Sequence, residues 1–230
     1  MRNLIKISIL LILFSCSSDY SIISSKHEVI EVKHAVDSNI IKIISPYKNN
    51  LDKEMNEVIC YTKNDLLKGK PESTLGNFIC DLSLEKTNGK ADICVFNNGG
   101  LRDIIAQGNI TTRDIYKVMP FENELVILEL NRHEYYDLLK YITKRGGEPI
   151  AGVKIVEKKD TILSQYNNYK KIKVLTSDYL ANGGDRMSFF NNKEQKKVGI
   201  KLRDAIIEYC KKEDTISITL DNRVIIENDK

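Results

Sequence analysis

The 230 residues are 42% hydrophobic and 29% charged, which is enough for one good core and too little for two large domains. Thirty-five basic residues stand against thirty-two acidic ones. That near balance excludes a DNA- or RNA-binding protein, whose cations cluster to neutralise many phosphates. Lysine pairs such as Lys158-Lys159 and Lys170-Lys171 read as solvated faces.

The first fifteen residues stand apart. Arg2 and Lys6 precede an apolar run, Ile7 to Phe14, broken only by Ser8. The run is too short for a bilayer, which takes roughly 20 apolar residues, but suits an export signal. Leu13, Ser15 and Cys16 then resemble a bacterial lipoprotein signal, with Cys16 as the lipidation site. Phe14 is larger than the usual occupant, and an ordinary cleaved signal is the alternative. The expected division is a signal over 1–15, a Ser-rich tether over 16–26 and one domain over 27–230. The expected location is the bacterial envelope, periplasm or outer membrane, with the chain held by its lipid.

Val29 to Val36 alternates apolar and polar residues and predicts a strand. Asn39 to Asn56 has helical spacing, with a kink or restart expected at Pro46. Strands are predicted at Val58 to Tyr61, Ala91 to Phe96, Glu124 to Leu130 and Ile172 to Leu175. Helices are predicted from Ser73 to Thr87 and from Arg113 to Val118 after Thr111 or Thr112. A third is expected from Asn131 to the Gly146-Gly147 pair. Ser177 to Ala181 leads to Gly183-Gly184. A long amphipathic helix is expected from Glu194 to Lys211, then an extended segment from Ile216 to Ile226. Strands and helices alternate irregularly, so the expected class is α+β with a mixed sheet packed by helices.

The chemistry-bearing residues are sparse. His27, His34 and His133 are the only histidines, and none sits in a metal-binding or nucleophile-base motif. No GxSxG elbow and no phosphate loop occurs. Cys60, Cys80, Cys94 and Cys210 show no CxxC spacing, and Cys80 and Cys94 lie in apolar runs as expected buried thiols. No catalytic residue, metal ligand or cofactor site is assigned to the chain.

Three segments combine glycine freedom with polar or aromatic side chains: Asn97-Asn98-Gly99-Gly100-Leu101-Arg102, Met119-Pro120-Phe121-Glu122-Asn123 and Ser177-Asp178-Tyr179-Leu180-Ala181-Asn182-Gly183-Gly184-Asp185. Taken singly, each has a plainer account as a turn, a core aromatic or a helix cap. Together and in this order they resemble the C-terminal, substrate-binding domain of the 5′-nucleotidase and UDP-sugar hydrolase family. The likeness extends over Leu51 to Asn56, Leu75 to Asp81, Gly108 to Thr111 and Leu125-Val126, about residues 37 to 211.

The resemblance implies that Phe121 and Tyr179 sandwich a nucleobase, each stack being worth ~1–3 kcal/mol. It implies base contacts from Asn97 and Asn123, ribose contacts from Asp185, and ribose and phosphate contacts from Arg102. The glycines are Gly99, Gly100, Gly183 and Gly184. Where the family carries further arginines, this chain has Thr74 and Asn77, which weakens the expected phosphate grip. The family's two divalent metals sit in a separate metallophosphatase domain, for which this chain has no room. The expectation is therefore a nucleotide- or nucleoside-recognition subunit completed by a metallophosphatase partner. The alternatives are a surface lipoprotein that binds nucleotides or nucleosides without catalysis, and a remnant that binds nothing.

Overall fold

The computed structural model describes residues 37–159 and 161–227. The export signal, Cys16, the tether, the strand expected at Val29 to Val36, His27 and His34 lie outside them. The chain divides into two compact units between Ile44 and Ser45. Of the first, the described part is Asp37 and the opening turns of helix α1, Ser38–Met55, where the Asp37 carboxylate accepts from the Asn39 N–H at 2.8 Å. The helix continues through Pro46 without the expected restart, and none of its residues is buried.

The second unit holds the core. Its main sheet has five strands in the order β5-β2-β8-β4-β9. These are Ile150–Ala151, Ile93–Val95, Lys171–Ser177, Glu124–Asn131 and Lys196–Lys201. β2 and β8 run parallel, while β4 is antiparallel to both β8 and β9. A smaller sheet places β1 (Val58–Thr62) between β10 (Thr215–Ile216) and β3 (Gly108–Thr111). A third joins β11 (Val224–Ile226), β6 (Ile155–Lys158) and β7 (Thr161–Leu163). Mixed sheets packed by helices make this the expected α+β class.

The helices start where side chains can satisfy their free N–H groups. Ser73 caps α2, Thr74–Glu85, accepting from Gly76 N–H. Thr111, not Thr112, caps α3, Thr112–Val118, in a reciprocal box with Asp114. Asn131 does the same for α4, Arg132–Lys144, with Glu134. α2 packs on β2, β5 and the last helix, and α4 packs on β4 and β8.

The helix expected from Glu194 to Lys211 is a correction. Lys196–Lys201 is strand β9, and only Leu202–Lys212 is helix α6. Val198, Ile200 and Leu202 recur every second residue, and Gly199 sits at φ +91, outside helical geometry. The short pairings β5, β6 and β7 fall where the sequence showed no strong pattern. The terminal extended segment forms strands only at β10 and β11.

Candidate functional site

The site grows from one edge of the β4–β8 pair. Leu125 lies opposite Ser177 in the antiparallel register. The turn entering β4 and the turn leaving β8 therefore emerge at the same end of the sheet. The first carries Phe121, and the second opens α5, Asp178–Ala181, and carries Tyr179. Asp178 ties them together, since its Oδ1 accepts from Glu124 N–H at 3.1 Å. Both rings are open to solvent, Phe121 at 40% and Tyr179 at 48% exposure. Two large rings are thus held outward on linked turns.

Behind Tyr179 the chain makes a tight turn. Gly183 adopts φ +85, and a Cβ on Gly184 would lie 2.5 Å from the Tyr179 ring. Only glycine at Gly184 lets the ring lie where it does. Asp185 follows at φ 51, ψ 23, half-buried, with its carboxylate already engaged. Oδ1 accepts from the Tyr179 hydroxyl at 3.0 Å and Oδ2 from Asn97 Nδ2 at 2.7 Å. The Tyr141 hydroxyl donates to the Asp185 carbonyl at 2.9 Å.

Asn97 ends the buried β2 run and is itself 9% exposed. It lies under the 3₁₀ turn Asn98–Gly100, so that a Cβ on Gly100 would meet its Oδ1. Its side chain thus holds Asp185, a positioning contact beyond the base contact that the sequence suggested. Arg102 is exposed and donates from Nη1 to Gly99 O at 3.2 Å, while its N–H bonds Val118 O. Asn123 is half-buried in the turn after Phe121, and its carbonyl accepts from Leu202 N–H. The structure therefore links Asn97, Tyr179 and Asp185 directly and Phe121 through Asp178, with Arg102 on the adjoining glycine turn.

Thr74 and Asn77 are committed to the fold. Thr74 Oγ1 accepts from Leu67 N–H and donates to Asp65 O, and Asn77 Nδ2 donates to Glu72 and Thr219 O. Neither takes over an arginine's role.

Several supporting residues escaped sequence reasoning. Arg203, 5% exposed on α6, donates to Phe121 O at 3.4 Å and pairs with Glu122, while its guanidinium lies 4.1 Å over the Tyr116 ring. Glu148 has a fully buried side chain, accepting from Arg145 Nε at 2.7 Å and from Asn98 N–H at 2.7 Å. Apart from the local Arg145–Glu148 pair, their partners lie on other elements and leave no local pattern. Glu148 was nonetheless discoverable as a carboxylate beside a glycine pair.

Among the described residues, no group of three or more His, Cys, Asp or Glu is placed to hold a metal ion. No described helix is long and apolar enough to cross a membrane.

Residues 58–146 match the family described as 5′-nucleotidase, C-terminal domain. Among curated relatives, the 5′-nucleotidase of Vibrio vulnificus is 29% identical over 127 residues, covering 53% of this chain and 22% of its own. Protein UshA of Escherichia coli is 27% identical over 176 residues, covering 69% and 32%. The chain thus spans less than a third of the length of either. The solved 5′-nucleotidase precursor of Thermus thermophilus shares the fold at TM-score 0.70 and 23% identity, over 82% of this chain and 43% of that one. The NAD nucleotidase of Haemophilus influenzae does so at TM-score 0.62 and 20% identity, over 84% and 42%. Over residues 58–146 this chain is similar to the 5′-nucleotidase C-terminal domain, and it shares the fold of the solved 5′-nucleotidase precursor of Thermus thermophilus.

Proposed function

We propose that this chain is the nucleotide- or nucleoside-recognition part of a 5′-nucleotidase-type phosphohydrolase. A separate metallophosphatase chain would supply the two divalent metals and the hydrolysis. The observation that carries the reading is the pair of solvent-facing rings, Phe121 and Tyr179, on turns joined by Asp178 and flanked by Asp185. A flat base stacks on such rings whatever its edge, and Asn97 and Asn123, on neighbouring turns, would contact that edge. A carboxylate accepts two sugar hydroxyls, and the Arg102 guanidinium suits the anionic end. The similarity to the 5′-nucleotidase of Vibrio vulnificus supports the substrate class. The lipid on Cys16 would hold the chain in the envelope and raise the effective concentration of a partner on the same membrane.

Calorimetric titration of the full chain with nucleoside monophosphates tests the reading. Phe121→Ala and Tyr179→Ala should each weaken binding about tenfold, within the ~1–3 kcal/mol of one stack. Unchanged affinity in both would overturn it. Adding the metallophosphatase recovered with the chain from envelope extracts should start phosphate release. Binding without any such release favours the second reading, a lipoprotein that captures nucleotides or nucleosides without turning them over.

A further inference from the structure

We infer that Arg145 is a second cationic arm of the nucleotide site, one that grips the ligand's phosphate together with Arg102. The inference rests on the nucleotide reading above and deepens it.

Arg145 caps the end of α4, but its side chain does more than end a helix. Gly146 and Gly147, at φ +76 and +110, already carry the chain away from α4, with their N–H groups on Thr143 O and Ile142 O. The guanidinium is instead built into place. Its Nε donates to Glu148 Oε1 at 2.7 Å, and its Cζ lies 5.2 Å from the centroid of the Tyr141 ring. Tyr141 in turn donates to the Asp185 carbonyl. Glu148 uses its other oxygen on the N–H and side-chain amide of Asn98, where the glycine turn of Asn97 and Arg102 begins. One buried carboxylate therefore fixes the arginine and that turn relative to each other. The Tyr141 ring bridges the same arginine to the residue placed to take the sugar.

The second observation is what the guanidinium leaves open. Its side chain is 44% exposed, and among the described residues its terminal amino groups make no hydrogen bond. Hydrogen bonding to Glu148 first, then the fields of Tyr141, Glu148 and Asp185, keep it charged. Burying a carboxylate whole is costly, and its pairing with an arginine rarely stabilises a fold by itself. The arrangement makes sense as preorganisation: a planar fork, with Nε anchored and the outer edge free, is the geometry that receives a phosphate bidentately. Lys70 Nζ, against the Arg145 carbonyl, adds a further positive charge nearby.

The test compares each nucleoside monophosphate with its own nucleoside by calorimetry on the full chain, using AMP, GMP, UMP and CMP and following the tightest pair. Arg145→Ala should weaken the monophosphate about ten- to hundredfold, as expected for charge-assisted hydrogen bonds, and leave the nucleoside within about threefold. Arg145→Lys, which keeps the charge without the fork, should recover part of the loss and should fold if the alanine variant does not. Raising the salt concentration should weaken monophosphate binding less in the alanine variant than in the parent. Equal losses for nucleoside and monophosphate would make Arg145 a structural residue and overturn the inference, as would no loss in either. If the parent binds nucleosides but does not prefer monophosphates, this inference fails while the nucleotide reading stands. If it binds neither, both fail.

Discussion

The Tyr179 hydroxyl donates to Asp185 Oδ1 at 3.0 Å, and the Asp185 N–H returns to the same hydroxyl oxygen at 3.3 Å. The ring proposed to stack on a base is thereby latched to the carboxylate proposed to bind a sugar. A sugar hydroxyl must share or displace that bond.

Replacing Tyr179 by Phe keeps the stacking face and removes the latch. Nucleoside affinity should rise about threefold, because Oδ1 no longer gives up the tyrosine's charge-assisted hydrogen bond to take the sugar's, a difference of ~0.5–1 kcal/mol. Titration of the variant against the parent checks this. A fall of tenfold would mean that the hydroxyl itself contacts the ligand.

Arg203 holds the turn that carries the other ring. Its Nε is buried without a partner, so the residue brings a desolvation cost along with its bonds to Phe121 and Glu122. Arg203→Met keeps much of the volume and should move the melting temperature little, while loosening the Phe121 turn. The chain has no tryptophan, so Phe121→Trp introduces a single reporter. With Met at position 203 the reporter's anisotropy should drop and nucleotide affinity fall about fivefold, and Arg203→Lys should restore part of both. Unchanged anisotropy would reject a positioning role.

Acid should release the C-terminal strand. Arg223 holds Asp81 through two bonds at 2.8 and 3.0 Å, Asp221 through two more at 2.9 and 2.8 Å, and the Ile150 carbonyl. The Arg223 hydrogen bond is the main cause that holds the Asp221 carboxyl below its ordinary 3.8. A depressed folded value means the added stability is fully present above that ordinary value. It is lost as pH falls through the lower, folded one. Urea unfolding between pH 5 and pH 2, at roughly that window, should show the loss, and Asp221→Asn should flatten it. Equal acid sensitivity in parent and variant would place the cause elsewhere.

The described thiols should be silent in the folded protein. Cys60, Cys80, Cys94 and Cys210 are all buried and free. Burial, with Cys60 alongside, pushes Cys210 up to about 12, and burial raises Cys94 well above its ordinary range. Thiolate is the reactive form, so a disulfide reagent should label these four only after denaturant is added. Rapid labelling of Cys210 in native buffer, read by peptide mass, would contradict its packing.

How much of this was legible beforehand varied with the range of the interaction involved. Ser73, Thr111 and Asn131 announce their helices because a cap acts within four residues. The α+β class and the strands β1, β2, β4 and β8 follow from short apolar runs. β9 did not, because Val198 and Ile200 sit among lysines that read equally well as one face of a helix, and its strand identity comes from pairing with β4. In the site, motif order singled out Phe121, Tyr179 and Asp185, which the structure sets on turns beside the β4–β8 edge. The bonds that organise them, from Asp178 to Glu124, Asn97 to Asp185 and Glu148 to Asn98, join residues 50 to 88 positions apart in sequence and leave no local trace.

Asp185 sits in left-handed backbone, at φ 51, where asparagine, aspartate and glycine are the residues that rest without much strain. The main chain therefore restricts which acid can serve there. Glutamate would have to meet a steric demand before its extra methylene ever reached a sugar. The tolerable replacements are uncharged, so this position can lose its negative charge through a single exchange far more readily than it can lengthen its reach.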